Sequence, residues 1–159
     1  MTETTSKEDL PYRPCAGMMV LNKKGQVFVG RRLDMVTEHW QMPQGGIDPG
    51  EDPLTAAFRE LDEEMGTRNV ELIHGLEEWL QYDLPENLVG KIWKGKYRGQ
   101  KQKWFLFRYL GEDHEINIET QHPEFSEWKW AEFSELPSLI VPFKRDLYET
   151  ILQKFYPYV

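Results

Sequence analysis

The sequence is poor in the features that mark a secreted or membrane-bound protein. It holds one cysteine, Cys15, so no intramolecular disulfide can form. No apolar run approaches the length needed to span a bilayer, and the opening MTETTSKEDL has none of the apolar core of a signal peptide. These absences exclude a disulfide scaffold and a helical membrane protein, and they lead us to expect a cytoplasmic protein with no membrane partner. Low-complexity tracts and repeats of solenoid period are also missing. Positive charge is in deficit, with 27 Asp and Glu against 19 Lys and Arg and a formal net charge of -8. Such a field slows the approach of polyanions, and nothing points to DNA-specific binding.

What is present is a chain of 159 residues with 40% hydrophobic and 13% aromatic residues, enough to bury one core and too short to split comfortably into two. We expect a single domain over residues 11–159, preceded by a polar, mobile tail over residues 1–10. GMMVLN, a KKG turn and QVFVGRR read as a β-hairpin, with Val27 and Val29 on one face and Phe28 on the other. Residues 33–50 hold three glycines and two prolines around WQMPQGGIDPG and read as a long shaped loop with strand fragments. Asp52 offers an N-cap and Pro53 a first helical residue. Leu54, Ala57, Phe58, Leu61 and Met65 then recur at helical spacing until Gly66 stops the helix. Beyond it NVELI, EEWLQYDL, KWFLFRYL and EWKWAEF alternate as strands, and residues 143–155 read as a closing helix with Leu147, Ile151, Leu152 and Phe155 on one side. The order predicts an α+β fold, a mixed sheet covered by helices.

The charge is unevenly spread. KIWKGKYRGQKQKWFLFR, residues 91–108, carries seven Lys or Arg, no acid, and five interleaved aromatics. On its own the stretch reads equally as a basic solvated loop entering a strand or as a surface for a phosphate-bearing partner.

Opposite in sign is RELDEEMG, residues 59–66, in which Glu60, Asp62, Glu63 and Glu64 crowd within five positions. On a helix Glu60, Glu63 and Glu64 are related as i, i+3 and i+4 and share one face, opposite Ala57, Leu61 and Met65. Their repulsion would reverse on a divalent cation, which takes carboxylate oxygens as hard ligands. The alternative is an ordinary charged surface helix with Arg59 paired to Glu63. Gly45, Gly46 and Gly50 let the preceding backbone fold close to a ligand, Glu51 sits where it can be held against that turn, and Arg59 can clamp one carboxylate in a bidentate pair.

The longer constellation Gly45, Glu51, Arg59, Glu60, Leu61, Glu63, Glu64 and Gly66 fits G-x5-E-x7-R-E-U-x-E-E-x-G, with U a bulky apolar residue. It resembles the box of the Nudix hydrolases, a loop-helix-loop acting on nucleoside diphosphates linked to another group; Thr67 departs from the aliphatic residue usual after the last glycine. The resemblance implies a Nudix fold, a mixed sheet between helices, and hydrolysis of a phosphoric anhydride aided by Mg²⁺, with Mn²⁺ or another divalent cation able to substitute. It implies Glu60, Glu63 and Glu64 as metal ligands, one of them possible as the base, the Gly45 carbonyl as a further ligand, and Arg59 and Glu51 as supporting members of the catalytic motif.

YRPCAGMMVLN, WQMPQGGID, GQKQKWFLFR, PEFSEWKW and VPFKRDLYE extend the resemblance to the RNA pyrophosphohydrolases and the diadenosine polyphosphate hydrolases of the same subfamily. Within it Glu124 matches an added metal ligand, Arg32 a phosphate contact, and Phe143 and Lys144 a base-stacking ring with its cation. Tyr82, Lys101 and Lys103, near the basic stretch, are expected as further phosphate contacts. Read alone, Glu124 is a loop acid, Arg32 a strand-end charge and Phe143 a core residue. Two substrates follow, 5'-triphosphorylated RNA losing pyrophosphate before decay, or diadenosine tetraphosphate split into ATP and AMP. A non-catalytic nucleotide-binding module stands as the third reading, and the full set of box acids weighs against it.

Overall fold

A computed structural model describes residues 7–34 and 37–159. Most of the expected tail, residues 1–6, lies outside the described residues, and Lys7–Asp9 forms a 3-10 turn. Among the described residues seven strands form one sheet: β1 (Tyr12–Leu21), β2 (Val27–Arg32), β3 (Gln44–Gly46), β4 (Val70–Gly75), β5 (Leu80–Asp83), β6 (Gly99–Tyr109) and β7 (Phe125–Ala131). The path runs β4-β6-β1-β2-β7, with β3 added to β1 and β5 to β6. Strands β1 and β6 pair in parallel and the other ladders between these strands are antiparallel, so the sheet is mixed.

Helices cover both faces. The first, α1 (Pro53–Met65), has the expected ends: Asp52 accepts from the backbone N–H groups of Leu54 and Thr55, and Gly66 closes the helix at φ 72°. Ala56, Ala57, Leu61 and Met65 of α1 pack on Met18, Val20, Phe28 and Phe107. On the other face α2 (Leu136–Leu139) and α3 (Arg145–Phe155) bury Leu136, Leu147, Ile151 and Phe155 against Met19, Val27, Val29 and Trp104. Val27 and Val29 thus face one layer and Phe28 the other, as the hairpin pattern requires.

Two expectations need correction. The closing helix begins at Arg145, because Pro142 opens a separate 3-10 turn, Pro142–Lys144, that carries Phe143 and Lys144 off the helix axis. The acids of α1 do not stand opposite its apolar stripe: Glu60 and Glu64 are buried beside Ala57, Leu61 and Met65, with 7% and 2% of their surface exposed. Successive helical residues lie about 100° apart, so Glu60 and Glu64 occupy the flank of the stripe that faces β3. No helix among the described residues is long and apolar enough to cross a membrane.

Candidate active site

The loop after β2 returns to the sheet through β3, whose Gly45 pairs with Ala16 and whose Gly46 pairs with Cys15. A side chain at Gly45 would occupy the place of the Glu60 carboxyl group, and that close approach is why glycine is needed there. Arg59 then staples loop to helix. Its guanidinium holds Glu51 in a bidentate pair at 2.8 and 3.0 Å, donates to Glu60 at 2.8 Å and to the Gly46 carbonyl at 2.9 Å. Glu63 is farther off, at 3.7 Å. The simple Arg59–Glu63 surface pair is therefore not the arrangement. The Asp48 backbone N–H donates to Glu51 at 3.0 Å, which completes the turn.

The Arg59 guanidinium holds the Glu51 carboxyl down at about 2. A carboxyl lowered on folding stabilises fully above its unfolded value near 4.5 and loses that contribution as pH falls toward 2. Glu51→Gln is expected to cost on the order of 1.5 kcal/mol. That is about 3–6 °C in Tm for a chain of this size. Calorimetry from pH 7 to pH 2 should show a constant gap above about pH 5 that closes below it; a gap that widens on acidification would contradict the assignment.

Beside this staple lies a cavity of about 280 Å³. Glu60, Glu63, Glu64 and Glu124 contribute four carboxyl groups to its wall, and Arg13, Arg32 and Lys144 contribute three cations. Burial raises the Glu60 carboxyl to about 7, with Glu63 adding to the rise against Arg59. Burial first, then Glu60, Glu124 and Glu63, pushes Glu64 well above the usual range. Burial also raises Glu124, which Arg32 counteracts. Lys144 is lowered to about 8 by burial and by Arg32. The cavity wall thus carries four carboxyl groups and three cations, and Arg32 counteracts the rise at both Glu64 and Glu124.

Among the described residues no three His, Cys, Asp or Glu side chains are gathered closely enough to hold a metal ion as they stand. The donor chemistry nonetheless fits a hard divalent cation. Glu64 Oε2 and Gln44 Oε1 are buried with no hydrogen-bond partner, the cost of which a cation would relieve. Glu60, Glu63, Glu64 and Glu124 supply four carboxylates around the same space.

Of the residues singled out in the sequence, Gly45, Glu60, Glu63, Glu64, Glu124, Arg32 and Lys144 meet at the cavity. Glu51 and Arg59 stand behind its wall. Tyr82 is buried, its ring 5.9 Å from Phe143, and Lys144 lies over both rings at 5.1 and 5.8 Å. Lys101 and Lys103 are not at the cavity: both sit over Trp79, at 5.1 and 5.3 Å, and Lys103 also donates to the Glu77 carbonyl. Arg13, Gln44, Gln100 and Trp93 line the cavity without having been read as site residues. Trp93 and Lys94 have φ of 52° and 58°, a left-handed backbone that costs about 1–2 kcal/mol for each L residue. No pattern in the sequence marks such a turn, because neither residue is glycine or asparagine.

A NUDIX domain description matches residues 11–151. An RNA pyrophosphohydrolase of Sphingopyxis alaskensis is 55% identical over 154 residues, 96% of this chain and 98% of that protein. Another protein of that name, from Roseobacter denitrificans, is 56% identical over 92% of each chain. Among solved structures, a dihydroneopterin triphosphate pyrophosphohydrolase of E. coli superposes with a TM-score of 0.66 at 18% identity, over 91% of this chain and 99% of that one. An Ap4A hydrolase of C. elegans superposes with a TM-score of 0.65 at 22% identity, over 91% and 96%. At those identities the two structures speak for the fold alone.

Proposed function

The chain belongs to the Nudix family, and we propose that it is an RNA 5'-pyrophosphohydrolase, removing pyrophosphate from triphosphorylated RNA to leave a 5'-monophosphate. The observation that supports this reading is the cavity whose wall carries both four carboxylates and three cations. The shared name of the relatives that match nearly the whole chain supports the substrate.

In this reading Glu60, Glu63, Glu64 and Glu124 hold divalent cations, Mg²⁺ first among them. When bound there, such cations would supply charge neutralisation for the phosphate oxygens and Lewis acidity toward water. Arg32, Arg13 and Lys144 bind the phosphate chain and set it in line with the acids. A carboxylate of the same set accepts the proton of the attacking water as its oxygen bonds to phosphorus and the anhydride bond breaks. Gly45 keeps the Glu60 carboxyl close to the backbone, while Arg59 and Glu51 fix the helix against the loop.

The dinucleotide reading remains the alternative, and Lys101 and Lys103 separate the two. With the exposed Trp79 they form an aromatic and cationic platform outside the cavity, suited to an RNA chain continuing beyond its first nucleotides. Kinetics on triphosphorylated RNA and on diadenosine tetraphosphate, side by side in Mg²⁺, test the assignment. Lys101→Ala with Lys103→Ala should lower kcat/KM on RNA and flatten its log-log salt dependence by about 0.7 per cation removed. The short dinucleotide should respond little. Equal effects on both substrates, or preference for the dinucleotide, would replace the RNA reading.

A further inference from the structure

Along β6 the residues Gln100, Gln102 and Trp104 alternate onto one face of the sheet, and all three are buried. An indole nitrogen only donates, whereas a carboxamide has one donating and one accepting end. Trp104 Nε1 donates to Gln102 Oε1 at 2.8 Å, which forces the nitrogen of Gln102 to the other side, where Nε2 donates to Gln100 Oε1 at 2.8 Å. The direction of the whole relay is therefore set by the indole and is not a matter of choosing an amide orientation. What remains to Gln100 is its amino group, and Gln100 forms part of the cavity wall. Arg13 and Tyr82 flank it as direct cross-strand neighbours.

The start of the relay is itself locked. Gly17, opposite Trp104 on β1, has no side chain because the indole fills that space. Tyr148 of α3 packs edge-on to the indole, with ring centroids 6.3 Å apart and planes at 82°. Nothing in the catalytic reading uses Gln102 or Trp104, and two buried amides in series are a costly feature for a core unless the end of the series matters.

We infer that Gln102 is a positioning residue: with Trp104 it fixes the Gln100 carboxamide so that its nitrogen donates to a non-bridging phosphate oxygen of the substrate. Released from Gln102, the Gln100 amide can rotate and offer its carbonyl oxygen instead, and an acceptor facing a phosphate repels it. Gln100 supplies a neutral, directional donor in the same wall as Lys144, a point charge that attracts without fixing orientation. The inference rests on the reading that this cavity holds a phosphate chain and adds to it a residue that never touches the substrate.

The test is a mutant cycle on kcat/KM in Mg²⁺, with triphosphorylated RNA and diadenosine tetraphosphate, using Gln100→Met, Gln102→Met and the double variant. Each single change should lower kcat/KM about 10-fold, the loss of one hydrogen bond to a charged group. The double variant should be no worse than Gln100→Met alone, since Gln102 has no other route to the substrate. Losses that multiply in the double variant, or a Gln102→Met enzyme as active as wild type, would overturn the proposal. If Gln102→Met fails to fold, Trp104→Phe removes the indole N–H that orients Gln102 and replaces it in the cycle with the same expectations. Calorimetric binding of α,β-methylene-ATP with Mg²⁺ separates this inference from the substrate assignment. Should the wild type cleave neither substrate, Gln100→Met and Gln102→Met must still weaken that binding equally, and unchanged binding would sink the positioning role.

Discussion

Glu64→Gln should lower turnover on the order of 10²-fold or more while raising the melting temperature of the metal-free protein. The two effects have one cause. The Glu64 carboxyl group is almost fully buried, its Oε2 has no hydrogen-bond partner, and its nearest charged neighbours include Glu60, Glu63 and Glu124. Glutamine keeps the volume, removes the repulsion and lessens the cost of burial, so the fold gains what the chemistry loses. Glu63→Gln, on the more exposed side of the same cluster, should show a similar loss of turnover with the fold retained. EDTA should abolish wild-type hydrolysis, and Mg²⁺ should raise the wild-type Tm by mass action on the folded state, with a smaller rise in either variant. Turnover near wild type in Glu64→Gln, or hydrolysis in EDTA equal to that in Mg²⁺, would remove the metal-binding role of the cluster. A core residue chosen only for packing would lose stability on substitution, and that opposite sign of the Tm change makes the measurement decisive.

The acids of this cluster were legible in the sequence because their signals are local. Asp52, Pro53 and Gly66 mark the ends of α1, and Glu60, Glu63 and Glu64 repeat at helical spacing between them. Their burial was not legible. It depends on Gly45 of β3 approaching the helix from a distant part of the chain, and an i, i+3, i+4 pattern alone does not say which flank of a helix faces a sheet. The cations divide in the same way. Lys101 and Lys103 stood out by charge, yet strand alternation sends them to the face opposite Gln100 and Gln102. Reading that alternation through the whole of GQKQKWFLFR would have put Gln100, not its lysine neighbours, at the cavity. Arg13 had no local signal, and Trp93 stood out only as one of the aromatics of the basic stretch. Arg13 reaches the site through the parallel register that sets it beside Gln100, and Trp93 through a left-handed turn.

Phe143→Ala should lower kcat/KM on triphosphorylated RNA by about 10-fold to 100-fold, because stacking on one exposed base contributes roughly 1–3 kcal/mol. Pro142 starts the short turn that carries Phe143 ahead of α3, where the residue stays 36% exposed and its ring tilts against buried Tyr82, with Lys144 over both rings. A ring backed by Tyr82 and still partly exposed is suited to receive a base, and the Lys144 ammonium over it would meet the neighbouring phosphate. Neither group belongs to the acid cluster, so Mg²⁺ should stabilise Phe143→Ala as much as wild type, and the loss should fall on substrate capture more than on kcat. A base-paired 5' end should react more slowly than a free one, since its terminal base is already stacked and must unpair to reach the ring. Measured on RNA with free and paired ends and on diadenosine tetraphosphate, the variant should narrow the difference between the two RNA ends. If pairing is without effect, the missing ring costs nothing and the dinucleotide is cleaved better than RNA, then Phe143 does not read an RNA terminus and the diadenosine polyphosphate is the substrate this cavity serves.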